Sequence, residues 1–297
     1  MIWTTWRQHR FEALWAALLA GLLMTLTWFV GSQLQAAACS GPGHSVCLAD
    51  DLPGRVAQFI VGLNLYNYGL AVLPGLAGAF IGAPLVAREV ENGTHRLAWT
   101  QGVTRLRWFT VKLVLVAIPL LLAAAAAGLL EVWLLNVASA RANHWAFFDQ
   151  QAPLTAAATL FALALGVAWG AVIGRSIPAM AATLVSFVVV RIALAETVRP
   201  LYQPALAYTA RDMSNFNNPP TAYPDAWWLD QPSYYDSAGR VLSNGGFKPA
   251  GSVAYAIQHY QPAERFWAFQ SIESALLAAL ALAILGFAVY WVTRRIS

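Results

Sequence analysis

The sequence predicts an all-α membrane protein with six transmembrane helices, both termini in the cytoplasm and a large extracellular loop between the fifth and sixth helices. Three observations support this fold class. Hydrophobic residues make up 59% of the 297 residues and charged residues only 11%, whereas a soluble domain usually carries about 25% charge. The apolar residues are collected in long runs, and the basic residues are distributed unevenly between the segments that join these runs.

Six apolar runs are about as long as, or longer than, the roughly 20 residues that a helix needs to cross the hydrocarbon core. They cover residues 11–34, 59–87, 113–135, 154–173, 177–194 and 272–292. Because backbone groups in hydrocarbon must bond within their own segment, we interpret each run as a helix. The first run exceeds the apolar core of a signal peptide, about 7–15 residues, which favours a retained helix. The second run exceeds a bilayer thickness, which predicts tilt, a kink at Pro74 or an extension past the membrane.

The basic residues outside the runs predict the orientation of the chain. With the N-terminus inside, ten lie in cytoplasmic segments and two in the short outer loops. The ten are Arg7, Arg10, Arg88, Arg96, Arg105, Arg107, Lys112, Arg175, Arg294 and Arg295, and the two are Arg55 and Arg141. The net charge is only +4, and the sequence contains no run of five basic residues. We therefore expect membrane lipids as partners and no nucleic acid.

The segment 197–266 is the one large loop, and the orientation places it outside. It holds eight of the 15 prolines and seven of the ten tyrosines. Loops of this length without a function are uncommon, and its many aromatic residues predict an ordered cap on the membrane surface. The stretch Gly251–Tyr260 is expected to form a short helix along the interface.

The first outer loop contains both cysteines of the chain, Cys39 and Cys47. An oxidising exterior permits a disulfide between them. Free thiols are an alternative, and His44 between the cysteines makes a metal site conceivable. We expect the disulfide and no metal.

Several polar residues interrupt the apolar runs and are candidates for the substrate path. Glu131, Arg191 and Glu273 lie near predicted outer ends, where ionisable groups usually face the bundle interior or a wet cavity. The alternatives are a structural pair, Arg191 with Glu273 or Glu131, and extension of these side chains to the interface. Asn64 and Asn67 either line a central cavity or form hydrogen bonds between helices.

The second run also contains a pair of small residues at a spacing that permits close helix contact. Gly78 and Gly82 lie four residues apart on one face of the helix. This pattern predicts packing against the third run, the fifth run or a second copy of the chain.

No catalytic or nucleotide-binding motif is present in the sequence. The chain has no G-x-x-x-x-G-K-[ST], H-E-x-x-H, C-x-x-C or G-x-S-x-G, which are the signatures of phosphate cradles, zinc proteases, redox pairs and serine hydrolases. We therefore expect a non-enzymatic chain with no cofactor of its own, and a partner that supplies any chemistry.

The segment 85–112 joins the second and third runs and carries five basic and two acidic residues between Gly82 and Lys112. Gly93 is suited to end a helix in the left-handed conformation. Thr94 is suited to cap a new short helix over 95–99, and Thr104 to cap the third span. The segment is either a docking surface or an ordinary basic loop on the inner side.

Three segments of the chain, in order, carry a family resemblance. They are Trp3-Thr4-Thr5-Trp6-Arg7-Gln8-His9-Arg10, then Arg88-Glu89-x-Glu91-x-Gly93-Thr94-His95-Arg96-Leu97-Ala98-Trp99-Thr100-Gln101 with Arg105-x-Arg107-Trp108, and finally Tyr260-Gln261-Pro262-Ala263-x-Arg265-Phe266-Trp267-x-Phe269-Gln270. Together they resemble the permeases of type 2 ATP-binding cassette (ABC) exporters, in particular the actinobacterial branch. The resemblance covers most of the chain, but the stretch from about 209 to 243 stands outside it.

The resemblance implies a mechanism. In such exporters two permease copies pair, and each docks a separate ATPase subunit that binds ATP and magnesium. The segment 85–112 would be the cytoplasmic coupling loop, which transmits closure of the ATPases to the membrane helices. Its coupling residues would be Glu89, Glu91, Gly93, Thr94, Arg96 and Trp99.

The leading hypothesis is therefore a multi-pass permease of a bacterial plasma membrane that exports an amphipathic or hydrophobic compound, such as an antibiotic. One alternative is a membrane sensor or immunity protein whose extracellular loop binds a ligand without transport. A membrane enzyme is a third class, but no nucleophile–base motif supports it.

Overall fold

The computed structural model describes residues 71–94, 104–138, 144–211, 223, 225–244, 248–249 and 253–295. It also describes six isolated helical positions, which are Gly21, Met24, Thr25, Trp28, Phe29 and Ser32. Several predictions fall outside the described residues. They concern the substrate-path candidates Asn64 and Asn67, the disulfide between Cys39 and Cys47, the coupling residues Arg96 and Trp99, and the short helix over 95–99.

Five helices within the described residues are long and apolar enough to cross a membrane. They are α1 (Ala71–Glu91), α2 (Arg105–Ala138), α3 (Ala152–Ile173), α4 (Ser176–Ala193) and α5 (Phe266–Arg294). They coincide with the second to sixth predicted runs, and a mostly helical membrane chain is confirmed. The count of six spans and the orientation stay predictions, because most of the first run lies outside the described residues.

The bounds of the helices differ from the predicted runs by one to eight residues at most described ends, and two differences have a structural cause. α2 begins at Arg105 and not at 113, because Thr104 caps it: the Thr104 Oγ1 accepts a hydrogen bond from the Arg107 amide at 3.3 Å. This cap confirms the role predicted for Thr104. For α1, a kink at Pro74 is one of the predicted features. The irregularity that the structure shows in this helix is a π-helical segment at Gly78–Gly82, which continues into a regular α-helix at Ala83.

The chain divides into two compact units, and the first contains residues 1–140, 149–192 and 271–297. In this unit α1 and α3 touch along their backbones. A Cβ added at Gly78 would lie 2.2 Å from the Ala162 oxygen, and one at Gly166 would lie 2.1 Å from the Gly78 oxygen. The prediction that Gly78 and Gly82 permit close packing is confirmed. The predicted partners were wrong, because the contact is with the fourth run, where Gly166 and Gly170 provide the matching pair of small residues.

The apolar core of the first unit lies where four helices meet. It is formed by Leu85 and Val86 of α1, Trp108 and Phe109 of α2, Leu163, Val167, Ala168 and Ala171 of α3, and Ala288 and Val292 of α5. α3 is the central helix, since 72% of its most apolar stretch is buried, against 6% for α2. α2 therefore exposes most of its apolar surface, as a helix in contact with lipid does.

The second unit contains residues 141–148 and 193–270 and is built around an antiparallel sheet of five strands. The strands are β1 (Leu206–Ala210), β2 (Trp227–Trp228), β3 (Ser233–Tyr235), β4 (Val241–Ser243) and β5 (Tyr255–Gln261). β5 pairs with β1 on one edge and with β2 and β3 on the other. The Trp145 ring packs against four further aromatic rings, those of Phe148, Trp227, Phe266 and Phe269, at centroid distances of 5.2 to 5.8 Å.

The sheet corrects two predictions. The fold is not all-α, since the segment between α4 and α5 contains β-strands. The short helix expected at Gly251–Tyr260 is wrong, because Tyr255–Gln261 forms the central strand β5. In this strand Ala256, Gln258 and Tyr260 are buried while His259 between them is exposed, which is the two-residue period of a strand. The described part of this segment is ordered, and its predicted position as a cap on the outer membrane surface stays a prediction.

Candidate functional site

The candidate site lies at the end of α1, where the chain enters the first loop (residues 92–104). The Asn92 amide bonds to the Arg88 carbonyl at 3.1 Å, and the Gly93 amide bonds to the Val90 carbonyl at 3.2 Å. Gly93 has φ +68°, which confirms the left-handed helix end predicted for it. The Thr94 hydroxyl donates back to the Glu89 carbonyl at 3.5 Å.

Glu89 connects the last turns of α1 to the first turns of α2. Its carboxylate accepts hydrogen bonds from the Lys112 ammonium and from the Trp108 indole nitrogen, the latter at 3.1 Å. The Lys112 ammonium also lies 4.7 Å from the centre of the Trp108 ring, within the range of a cation–π contact. Both charged side chains are largely buried, with 13% exposure for Glu89 and 5% for Lys112. A buried charge pair with further hydrogen bonds holds a fixed geometry.

Glu91, half a turn further, connects α1 to the start of α4. One of its carboxylate oxygens accepts hydrogen bonds from the Ser176 amide at 3.0 Å and from the Ser176 hydroxyl at 2.9 Å. Ser176 is the first residue of α4, so the carboxylate lies at the positive end of that helix and satisfies a backbone amide that has no partner within the helix. Val90 also lies against Gly174, where an added Cβ would be 3.1 Å from the Val90 side chain.

The structure therefore brings together four of the predicted coupling residues, Glu89, Glu91, Gly93 and Thr94, at one helix end. The two carboxylates hold this end to two neighbouring helices through Lys112 and Ser176. Sequence reasoning singled out the acidic residues but did not find these two partners. Lys112 was counted as an orientation charge, although its spacing from Trp108, one helical turn, places both side chains on one face of α2.

A second polar cluster of the first unit lies near the end of α4, close to the starts of α3 and α5. Arg191 of α4 bonds to Glu273 of α5 at 2.8 Å and to Asp149, just before α3, at 2.6 Å. Glu273 has no exposed side-chain surface, and Asp149 is 32% exposed. The predicted pairing of Arg191 with Glu273 is confirmed. Asp149 was missed because it lies between two apolar runs, in the 3-10 helix His144–Gln150, where no periodic pattern marks it.

Glu131 is the third ionisable candidate, and it is 2% exposed. It lies one turn along α2 from Gly128, where an added Cβ would be 2.5 Å from the Ala152 Cα at the start of α3. Its carboxyl group therefore lies on the face of α2 that packs against α3. The substrate-path role of Glu131, Arg191 and Glu273 stays a prediction.

Comparison with known protein families identifies the chain. A family model described as ABC-2 membrane transporter related matches residues 11–199. The chain belongs to this family. No curated protein and no solved structure gives a match.

Membership of the ABC-2 family makes this permease a membrane transport component of an ABC transporter, and such assemblies include an ATPase partner. The matched residues contain the end of α1, the first loop and the helices α2 to α4. The candidate site at Glu89 and Glu91 thus lies within the part of the permease that the family defines. The sheet and α5 lie beyond the matched residues.

Proposed function

We propose that the chain is the permease subunit of an ABC exporter that moves an amphipathic or hydrophobic compound out of a bacterial cell. The functional transporter would contain two copies of this permease, as a homodimer in the plasma membrane, and two separate ATPase subunits. ATP and magnesium bind to the ATPase subunits. The family match over residues 11–199 is the observation that carries this proposal.

The arrangement at the first loop supports a role in energy coupling. A loop that receives an ATPase must pass its displacement to helices, and this requires firm contacts at the base of the loop. Such contacts are present on α1, where Glu89 bonds to residues of α2 and Glu91 bonds to the first residue of α4. The first loop is the proposed docking surface, and both chain termini share its side of the membrane.

The polar groups within the helices support a substrate path of mixed character. Arg191, Asp149 and Glu273 form a charged network among residues of α4, α5 and the start of α3. Charged groups at membrane depth usually line a cavity or a pathway. A path with both apolar walls and a charged network suits an amphipathic compound. The orientation predicted from the basic residues would place the sheet outside the cell.

Co-purification of the permease with a separate ABC ATPase subunit produced in the same cells tests the proposal. We expect a stable complex whose ATP hydrolysis in nanodiscs rises with a transported compound, and whose reconstitution in vesicles gives ATP-dependent export. A panel of cationic, neutral and anionic amphipaths would define the substrate class.

The controls separate transport from ligand sensing. A complex with an ATPase variant that binds but does not hydrolyse ATP should give no export. Absence of a complex together with absence of stimulated hydrolysis would contradict the exporter. Ligand binding by the isolated permease without transport would support a sensor or immunity protein.

A further inference from the structure

We infer that Lys112 and Trp108 are positioning residues for coupling: they join α1 and α2 into one lever that carries the first loop, while Glu91 and Ser176 form a releasable contact to α4. This inference rests on the proposed function, because a lever has a role only if the loop receives a driven displacement. It assigns different tasks to the two neighbouring acidic residues of the loop base.

The contact at Glu89 is built to persist. As whole residues, Trp108 is 2% exposed and Lys112 is 4% exposed, and both lie near the start of α2. Breaking this contact would leave a charge in an apolar surrounding, since Leu85, Val86 and Phe109 are buried nearby. Leaving one member of a buried ion pair without its partner is far more costly than exposing a surface pair to water. The end of α1 and the start of α2 therefore move together.

The contact at Glu91 is built differently. Glu91 is exposed, and its partner Ser176 is a neutral residue at the start of α4. Water can replace the carboxylate at an exposed helix start, so this contact opens at little cost. The hydrogen bonds between Glu91 and Ser176 can therefore form and break during a transport cycle while the Glu89 contact persists. The buried cluster of Ala83, Ala87 and Ala179 keeps the middle of α1 against α4.

The position of the two contacts along the chain gives them their roles. Gly93 follows Glu91 after a single residue and turns the chain into the loop. A displacement of the loop thus reaches Glu91 and Glu89 before any other part of α1. Since α1 also touches α3 along its backbone at Gly78 and Gly166, the lever carries α1, α2 and α3 as one body. The contact with Ser176 then sets how closely the start of α4 follows the end of α1.

Coupled transport by variants of the complete complex tests this inference. Lys112→Met should lower the amount of compound exported per ATP hydrolysed by about tenfold, a typical size for the coupling between two sites. Lys112→Arg keeps the charge and the hydrogen-bond donors, so its ratio should stay close to that of the unchanged permease. The matched control is Lys248→Met, which should leave the ratio unchanged. Lys248 is the other lysine of the chain and is exposed.

A second pair of variants separates coupling from folding. Glu89→Gln combined with Lys112→Met removes both charges, so the amount of folded complex should recover while the export per ATP stays low. Ser176→Pro removes both hydrogen-bond donors to Glu91, and proline is tolerated at the first position of a helix. It should lower the export per ATP without reducing the amount of complex, because the contact is exposed.

The possible results are distinct. Lys112→Met could reduce only the yield of the complex, with export per ATP unchanged in both this variant and the double variant. That result would overturn the lever but not the proposed exporter. An unchanged ratio in Ser176→Pro would overturn the releasable contact. Absence of ATP-driven export by the unchanged complex would overturn the proposed function and, with it, this inference.

Discussion

At the scale of single residues, the ionisable side chains of the helices are tied to specific partners. Arg191 holds two carboxylates at once, and one of them, Glu273, has no contact with solvent. A guanidinium can do this because its five donors form a rigid fork. Arg191 is thus a cationic partner of a fully buried carboxylate.

Replacement of Arg191 should reveal how much this carboxylate depends on it. Arg191→Met should destabilise the permease by about 3–5 kcal/mol, because it leaves the buried Glu273 carboxylate without its cation. Thermal unfolding in detergent would measure the loss. Adding Glu273→Gln should recover much of it, and Arg211→Met, at an exposed position, is the matched control. Equal stability of Arg191→Met and the control would show that the pair is not structural.

The first loop yields a prediction for two residues that the sequence alone identified. Arg96→Glu or Trp99→Ala should leave membrane insertion intact and abolish stimulation of the ATPase, because arginine and tryptophan are the usual energetic anchors of an interface. Co-purification and ATP hydrolysis measure the effect. Arg211→Glu and Trp267→Ala change exposed residues outside the loop and serve as controls. Normal export by both loop variants would contradict the docking role.

The turn between β3 and β4 has a predictable pH dependence. The Asp236 carboxylate accepts hydrogen bonds from the amides of Arg240 and Ala238, at 2.8 and 2.9 Å, and from the Arg240 side chain. The bond from the Arg240 amide is the main cause that lowers the pKa of Asp236 below its ordinary value. A lowered folded-state pKa means that the carboxylate stabilises the turn at neutral pH and that this stabilisation is lost as the pH falls below about 4.

Hydrogen exchange of the Arg240 amide measures this effect. Protection relative to the intrinsic exchange rate should decline on acidification, and Asp236→Asn should show a weaker pH dependence. Asp225→Asn, in the same unit, is a control for general acid effects. Identical pH profiles of Asp236→Asn and the unchanged permease would contradict the assignment.

At the scale of elements, the helices were predictable and the sheet was not. Long apolar runs mark membrane helices because the bilayer demands them. The strands are two to seven residues long and rich in aromatic residues, and their pairing joins residues as distant as Leu206 and Tyr260. Such pairings depend on tertiary context that no local pattern contains.

The same reasoning explains the partly predicted site. Gly93 and Thr104 were recognisable from local chemistry, since helix ends need a left-handed residue or a hydroxyl cap. Lys112, Ser176 and Asp149 were not, because their partners come from other helices. The matching glycines of α3 were visible in the sequence as a second pair four residues apart, and this signal was overlooked.

The contact between α1 and α3 gives an element-scale prediction. Gly166→Leu should force the two backbones apart, and overpacking of this kind costs about 1–3 kcal/mol. Gly286→Leu in α5 is the matched control, because a Cβ at that position meets nothing within 4 Å. Thermal unfolding in detergent should separate the two variants clearly. Similar stabilities would show that the helices can shift without cost.

At the scale of the whole molecule, the orientation stays open to a direct test. The excess of basic residues in the inner segments predicts that both termini and the first loop share the cytoplasmic side. A reporter protein that is active only in the cytoplasm should be active when it is fused after Ser297. A reporter inserted at the exposed Ser237, in the turn between β3 and β4, should be active only outside. The reverse pattern would contradict the predicted topology.

The close contact of α1 with α3 also bears on how the chain is made. Residues enter the membrane in order, so α1 and α2 arrive before the surface that α1 needs has been synthesised. The backbone groove formed by Gly166 and Gly170 becomes available only when α3 follows. Until then the contacts that can hold the first two described helices together include the ion pair of Glu89 with Lys112 and the hydrogen bond from Trp108 to Glu89. The charged contact at the loop would thus act first in assembly, and the glycine contact would complete the bundle later.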